Sequence, residues 1–256
     1  MLRIIFSVIM IAWPVLIQAQ SISLSESDKD RNNSSMNEMR KQNLFEFYSK
    51  SINPFFNLIN GREYIPYYSQ STQKPILNWG EKYSSCIVIN GIFYRDILLE
   101  YDTYMDEVLF LDGSRSFMGN PLRIALNKDN IDFFELIKSN DTLNFKYFRD
   151  SNSFNFKDGF YEDVYSERST FLIKHTSHCS IINGISEYPY RTVFYVNIGN
   201  GFTKFKSIRQ LFKLMDSYSP DVRKYCRKQG IPAGSKDKKQ ISAVLMYYDN
   251  LKSQSE

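Results

Sequence analysis

The stretch Tyr83-Ser-Ser-Cys-Ile-Val-Ile-Asn-Gly-Ile-Phe-Tyr-Arg-Asp-Ile-Leu-Leu-Glu-Tyr101, with Met105–Leu111 after it, decides the fold class. Asn90-Gly91 sits between two runs rich in Ile, Val, Phe and Tyr. A type I′ turn needs φ > 0 at both central residues, so this pair predicts a β-hairpin. With those two residues as the loop, Ile89 faces Ile92, Val88 faces Phe93 and Ile87 faces Tyr94. Alternation then makes the tip apolar on both faces, the pattern of a strand pair covered on both sides.

Shorter strands are expected on either side. Gly61–Tyr68 is read as a strand, placed at an edge because Pro66 cannot donate to a ladder. Leu122–Asn127, Phe133–Ile137 and Leu143–Phe148 follow. Phe160–Tyr165 and Thr170–Thr176 pair around Glu167-Arg168, and Arg191–Ile198 and Phe202–Lys206 pair around Asn200-Gly201. In that last hairpin Phe194, Val196, Ile198 and Phe205 share one face and Asn197 and Lys204 the other, so one face is packed and one wet.

The period then changes from 2 to 3.6. Ile208, Leu211, Phe212 and Met215 fall at helical spacing behind a Ser207-x-x-Gln210 capping box. Ser219-Pro220 reads as an N-cap with proline at N1, and Gly230 follows the helix end. Ser235 opens a third helix with the stripe Ile241, Val244, Leu245, Tyr248 and Leu251. Helices of two to four turns do not persist alone in water, so they dock on the sheet or on one another.

The organisation read from the sequence is therefore a signal peptide at 1–19, a polar tether at 20–36, a β-rich body at 37–206 and a basic helical segment at 207–252. Arg3 and the apolar run Ile4–Leu16 precede Ile17-Gln18-Ala19, which predicts export with cleavage after Ala19 and a mature N-terminus at Gln20. That run is shorter than the ~20 residues a membrane helix needs, and Pro14 interrupts it. Within Asn37–Ile59, Leu44, Phe45, Phe47 and Tyr48 suit a short helix that Pro54 ends. The aromatic share, 16% from 20 Phe, 18 Tyr and 2 Trp, favours strands. Cys86, Cys179 and Cys226 are odd in number and widely spaced, the pattern of buried free thiols rather than a disulfide framework.

Without Arg3 the chain holds 31 basic and 28 acidic residues, a net of +3. The charge is uneven: residues 20–202 carry 19 basic and 23 acidic, residues 203–256 carry 12 basic and 5 acidic. Arg223, Lys224, Arg227, Lys228, Lys236, Lys238 and Lys239 make the tail a candidate contact for an anionic envelope component, although such a face is more often merely solvated. No nucleic-acid motif is present, and no nucleic-acid partner is expected.

Four constellations could carry chemistry. Glu100, Asp102 and Asp106, with Glu107 and Asp112 nearby, share a parity and could bind Ca²⁺ or act as acid and base on a glycosidic bond. The more frequent role of such a run is the wet face of a strand. Tyr64, Tyr67, Tyr68 and Trp79 could form a platform for sugar or peptide stacking, or simply pack. His175 and His178 with Cys179 suggest a metal, but strand residues three apart point to opposite faces, and His175 lies opposite Phe160 as a satisfied core histidine. Asp141-Thr142-Leu143 fits a short O-glycosylation acceptor pattern at Thr142. No G-x-S-x-G, phosphate-binding loop, H-E-x-x-H or dinucleotide fingerprint occurs.

At Asn60-Gly-Arg-Glu-Tyr64, Tyr101-Asp102-x-Tyr104-x-Asp106-Glu107, Gly159-Phe-Tyr-Glu162 and the Lys-rich closing helices, the chain resembles a family of uncharacterised exported proteins from Bacteroidota-type Gram-negative bacteria. The similarity spans about Asn60 to Leu251. It implies periplasmic, surface or secreted residence and carries over no catalytic residue, since the family has no assigned activity. The expectation is an α+β protein: a large antiparallel sheet system, a curled barrel or a sandwich, with a cap of about three short C-terminal helices. It has a non-catalytic binding or structural role, no catalytic, metal or cofactor residues and no transmembrane span in the mature chain. The alternative is an envelope hydrolase of glycan or peptide using carboxylates between Glu100 and Asp106.

Overall fold

The computed structural model describes residues 40–41, 56–68, 70–78, 84–117, 120–138, 141–149, 156–199 and 201–255. The chain divides into two compact units, Met1–Pro54 and Phe55–Glu256. Of the first, Arg40 and Lys41 are described, helical and exposed. The expected signal peptide, polar tether and Leu44–Tyr48 helix, together with Trp79, lie outside the described residues.

The second unit is α+β. A short helix α1 (Phe56–Ile59) leads into β1 (Arg62–Glu63), β2 (Ser84–Ile89), β3 (Ile92–Asp102), β4 (Glu107–Phe117), β5 (Asn120–Ala125), β6 (Ile131–Lys138), β7 (Asp141–Phe148), β8 (Gly159–Ser166) and β9 (Thr170–Ser177). A small hairpin of β10 (Ser180–Ile182) and β11 (Ile185–Glu187) precedes β12 (Tyr190–Asn197) and β13 (Thr203–Phe205). Eleven strands form one open antiparallel sheet in the order β1-β5-β4-β3-β2-β6-β7-β8-β9-β12-β13. Among the described residues the ends of that order do not pair, so the sheet is not closed into a barrel.

The β2–β3 hairpin has the register its turn chemistry requires, Ile89 to Ile92, Val88 to Phe93 and Ile87 to Tyr94. Asn90 and Gly91 hold φ of 51° and 73°, both positive as a type I′ turn demands. Only one face of the tip is covered, however. Ile87, Ile89 and Tyr94 are buried, while Phe93 is 50% exposed beneath the Arg95 guanidinium. Asp96, at φ 55°, accompanies the register shift between Ser85 and Ile87 that frees β3 to change partner. Its first half pairs with β2 and its last four residues, Leu99–Asp102, pair with β4.

That hand-over curls the sheet until the β3–β4 turn reaches the far end of β9. Ser177 donates its N–H to Thr103 O at 3.1 Å, and the two hydroxyls meet at 2.7 Å. Inside the curl Tyr101 packs on Phe134, Phe145 and Phe160, with Phe134 and Phe145 stacked at 4.6 Å. The expected edge strand Gly61–Tyr68 is an edge element but regular only over Arg62–Glu63. Beyond one more bond from Tyr64 N to Arg123 O the chain leaves the ladder toward Pro66, which has no N–H to give.

The helical cap is α2 (Ile208–Leu214), α3 (Ser219–Lys228) and α4 (Lys238–Ser255). Ile208, Leu211, Phe212, Met215, Val222, Cys226, Ile241, Val244, Leu245 and Tyr248 bury against Phe171, Ile173, Val196 and Phe205 of the sheet. The helix starts differ in detail from their sequence signals. Gln210 accepts from Lys206 N, not from Ser207 N, and the Ser207 hydroxyl makes no cap bond. Ser219 is already helical and accepts from Arg223 Nε through its hydroxyl. Asp237, not Ser235, caps α4 by accepting from Gln240 N. With 18 residues α4 is about five turns long. The outer face of β12 is not wholly wet either, because Tyr195 is buried there against Phe156, Tyr161 and Leu172.

Candidate functional site

The acidic run lies at the end of β3 and around the turn that follows it. Glu100 and Asp102 share the face opposite Leu99 and Tyr101, as alternation requires, but the turn Thr103–Asp106 carries Asp106 round to the Tyr101 side. The three carboxylates therefore do not line one face. Glu100 accepts two bonds from the Arg123 guanidinium, at 2.8 and 3.1 Å, and these bonds raise the pKa of Arg123 against the cost of its burial. Asp102 is fully buried. Its Oδ2 accepts from Tyr64 OH at 2.5 Å and Tyr67 OH at 2.7 Å, and its Oδ1 accepts from the N–H groups of Tyr104 and Met105 at 2.9 Å each. Asp106 takes Tyr101 OH at 2.5 Å and Lys174 Nζ at 2.7 Å, and Glu107 pairs with Arg62.

Burial, then the hydrogen bond to Asp102, pushes the Tyr64 and Tyr67 phenols above their ordinary range and keeps them protonated donors. Burial and Asp106 do the same to Tyr101. Lys174 is held below its ordinary value because burial outweighs its pairing with Asp106.

The tyrosine platform and the acidic run, two separate motifs in the sequence, thus form one cluster. Tyr67 makes edge-on ring contacts with Tyr64, Tyr68 and Tyr188 and a tilted one with Tyr104, while Tyr104 meets Tyr188 at 5.1 Å. Tyr64, Tyr68 and Tyr188 are buried, whereas Tyr67 and Tyr104 are 38% and 43% exposed. Tyr188 enters through a hairpin with its own sequence signal, Ile182-Asn183-Gly184-Ile185. Asn183 and Gly184 repeat the positive φ pair of the first hairpin, at 52° and 78°. Glu187 at its base accepts from the N–H groups of Thr72 and Gln73 and so ties it to the segment after Tyr68.

A second polar constellation joins β8, β9, β12 and α4. His175 is buried, with Nε2 2.7 Å from Glu162 Oε2 and Nδ1 2.5 Å from Tyr190 OH. Lys238 Nζ donates to Glu162 Oε1 at 3.0 Å and to Asp141 at 3.1 Å. Burial works to raise the Glu162 pKa, but the bonds from His175 and Lys238 outweigh it and hold the carboxyl below its ordinary value. His178 is exposed beside Arg191, so the two histidines diverge as their spacing predicts. No group of three or more His, Cys, Asp or Glu side chains that could hold a metal ion occurs among the described residues. The three cysteines form no disulfide; Cys226 is buried, but Cys179 is exposed and Cys86 half-buried, so they are not three core thiols.

Elsewhere a shallow groove of about 370 Å³ crosses the outer face of β6–β8, lined by Phe133, Glu135, Asn144, Lys146, Asp163 and Tyr165. Two of its charges are paired, Lys146 with Asp163 at 2.6 Å. Thr142 is exposed on β7. On α3, Val222 and Cys226 point inward while Arg223, Lys224, Arg227 and Lys228 are exposed, a basic stripe on the side opposite the buried one.

No family model matches the chain. Nor does any curated protein or solved structure. No described helix is long and apolar enough to cross a membrane, which says nothing of crossing by strands.

Proposed function

We propose that this chain is an exported cell-envelope protein with a non-catalytic binding or structural role, of the exported Bacteroidota-type family its motifs resemble. The observation that carries this reading is the commitment of the acidic run. Glu100, Asp102, Asp106 and Glu107 each accept from Arg, Lys, Tyr or backbone donors of the fold, Asp102 from the tyrosine cluster itself, which favours a structural group over a pair of carboxylates facing a substrate. A glycosidase needs one carboxyl to give a proton and another to receive one beside the scissile bond. What the cluster offers to solvent is the rings of Tyr67 and Tyr104, surfaces suited to stacking on a sugar or peptide.

The test pairs two assays on the purified mature chain. Intrinsic tyrosine fluorescence is titrated with soluble peptidoglycan fragments, and release of reducing ends or free amines is followed over the same range. Saturable quenching that Tyr67→Ala and Tyr104→Ala abolish, without product release, is expected; product release that Glu100→Gln or Asp106→Asn abolishes would establish the hydrolase.

The basic stripe of α3, with Lys236 and Lys239, supports a second contact with an anionic envelope component. It predicts salt-sensitive sedimentation with anionic vesicles, lost in an Arg223→Ser/Lys224→Ser/Arg227→Ser/Lys228→Ser variant. Export itself is tested by fractionation and N-terminal sequencing, with Gln20 as the expected first residue. Intact-mass analysis of the native protein tests glycosylation at Thr142.

A further inference from the structure

Away from the tyrosine cluster, the line Tyr190–His175–Glu162 has a use that binding does not require. Tyr190 is 48% exposed, while His175 and Glu162 behind it are buried. The proton positions follow from chemistry. The ionised Glu162 can only accept, so His175 Nε2 carries hydrogen; in the neutral imidazole Nδ1 then presents its lone pair and accepts from Tyr190 O–H. Lys238 on the other oxygen helps keep Glu162 ionised and in place. A hydroxyl on a half-exposed side chain, an imidazole base and a carboxylate that orients it are the parts of an activated nucleophile.

We infer that Tyr190 is such a nucleophile and accepts an acyl group from an activated ester. The phenol oxygen bonds to the acyl carbon as its proton passes to His175 Nδ1. The ester C–O bond breaks, and the leaving oxygen departs and takes up that proton. Glu162 carries the imidazolium through the step as a positioning residue. One transfer per molecule is required, not turnover, so the inference stands apart from the binding role.

The experiment treats the full mature chain with 4-nitrophenyl acetate and reads acetylation of each tyrosine by peptide mass spectrometry. Tyr104, 43% exposed and bonded to no imidazole among the described residues, is the internal control. General-base assistance is worth about 10²-fold or more, so Tyr190 should acetylate about 10²-fold faster than Tyr104. His175→Gln should bring Tyr190 down to the Tyr104 rate. Glu162→Gln should lower the Tyr190 rate with Tyr104 unchanged, and Tyr190→Phe should leave that peptide unlabelled. Equal rates at Tyr190 and Tyr104 in the unmutated chain overturn the inference without recourse to a variant. So does a folded His175→Gln protein that keeps the fast rate.

Discussion

Asp102→Ala is the most informative single change. It removes an acceptor used by four donors, and the surroundings decide what each loss costs. Tyr64 is 5% exposed, so its hydroxyl stays buried without a partner, at about 1–3 kcal/mol. Tyr67 is 38% exposed and can turn to water at little cost. The Tyr104 and Met105 N–H groups belong to exposed residues and rehydrate, each losing about 1 kcal/mol of net bond. The sum is about 3–5 kcal/mol, a large part of the 5–15 kcal/mol by which domains are ordinarily stable. Asp102→Asn keeps the shape and one carbonyl acceptor, so its loss should be about 1–2 kcal/mol. Urea titrations followed by far-UV circular dichroism at 25 °C, with unchanged m-values, measure both. A double-mutant cycle of Tyr64→Phe with Asp102→Asn should show a coupling of about 0.5–3 kcal/mol. A loss below about 1 kcal/mol for Asp102→Ala refutes the reasoning. The carboxylate would then not be committed to the fold, and the hydrolase reading would regain its first candidate.

Two glycine substitutions separate backbone strain from collision. Gly91 has φ 73° with nothing near a new Cβ, so Gly91→Ala should cost about 1–2 kcal/mol, whereas Gly159, at φ 146°, would drive its Cβ into Asp106 Oδ2; Gly159→Ala should cost more on the same titration and loosen the Asp106–Lys174 pair. Asp249 on α4 accepts from Tyr165 OH and from Ser169 N and Oγ, so Asp249→Ala should lose about 2–3 kcal/mol and make α4 an early site of limited proteolysis. Glu162 sits below its ordinary 4.5 in the folded state, so its contribution is complete above about pH 4.5 and is lost as pH falls through the lower folded value. Acid titration of stability should show that limb, flattened in Glu162→Gln.

Much of the sheet was legible because its signals are local. Asn90-Gly91 dictates a turn through φ alone, and the Ile/Val/Phe/Tyr alternation beside it fixes the register from Ile87 to Tyr94. The stripe from Ile208 to Met215 likewise announces the change to helix. The same logic applied to Asn183-Gly184 would have found the β10–β11 hairpin, whose strands of three residues are too short to show a period. Helix starts were harder. Ser, Pro and Asp within a few residues offer competing caps, and it is Asp237 that accepts from Gln240 N, while Ser235 accepts from Asp237 N.

The site is a different matter. Parity placed Glu100 and Asp102 on one face correctly, but it failed at Asp106 because a turn at φ 58° intervenes. Nothing local joins Tyr64 to Asp102, Lys174 to Asp106, or Tyr190 to Glu162.

By itself, then, the sequence determined the kinds of element, the turns and the two-sided logic of each strand, since side-chain period and allowed φ are properties of a few consecutive residues. Only the tertiary structure decided that the sheet stays open, that its acidic run is hydrogen-bonded from within, and that Tyr190, His175 and Glu162 form one line. Those outcomes depend on how far the sheet curls, and curl is set by twist and bulges summed over many strands, a quantity no single stretch of chain contains.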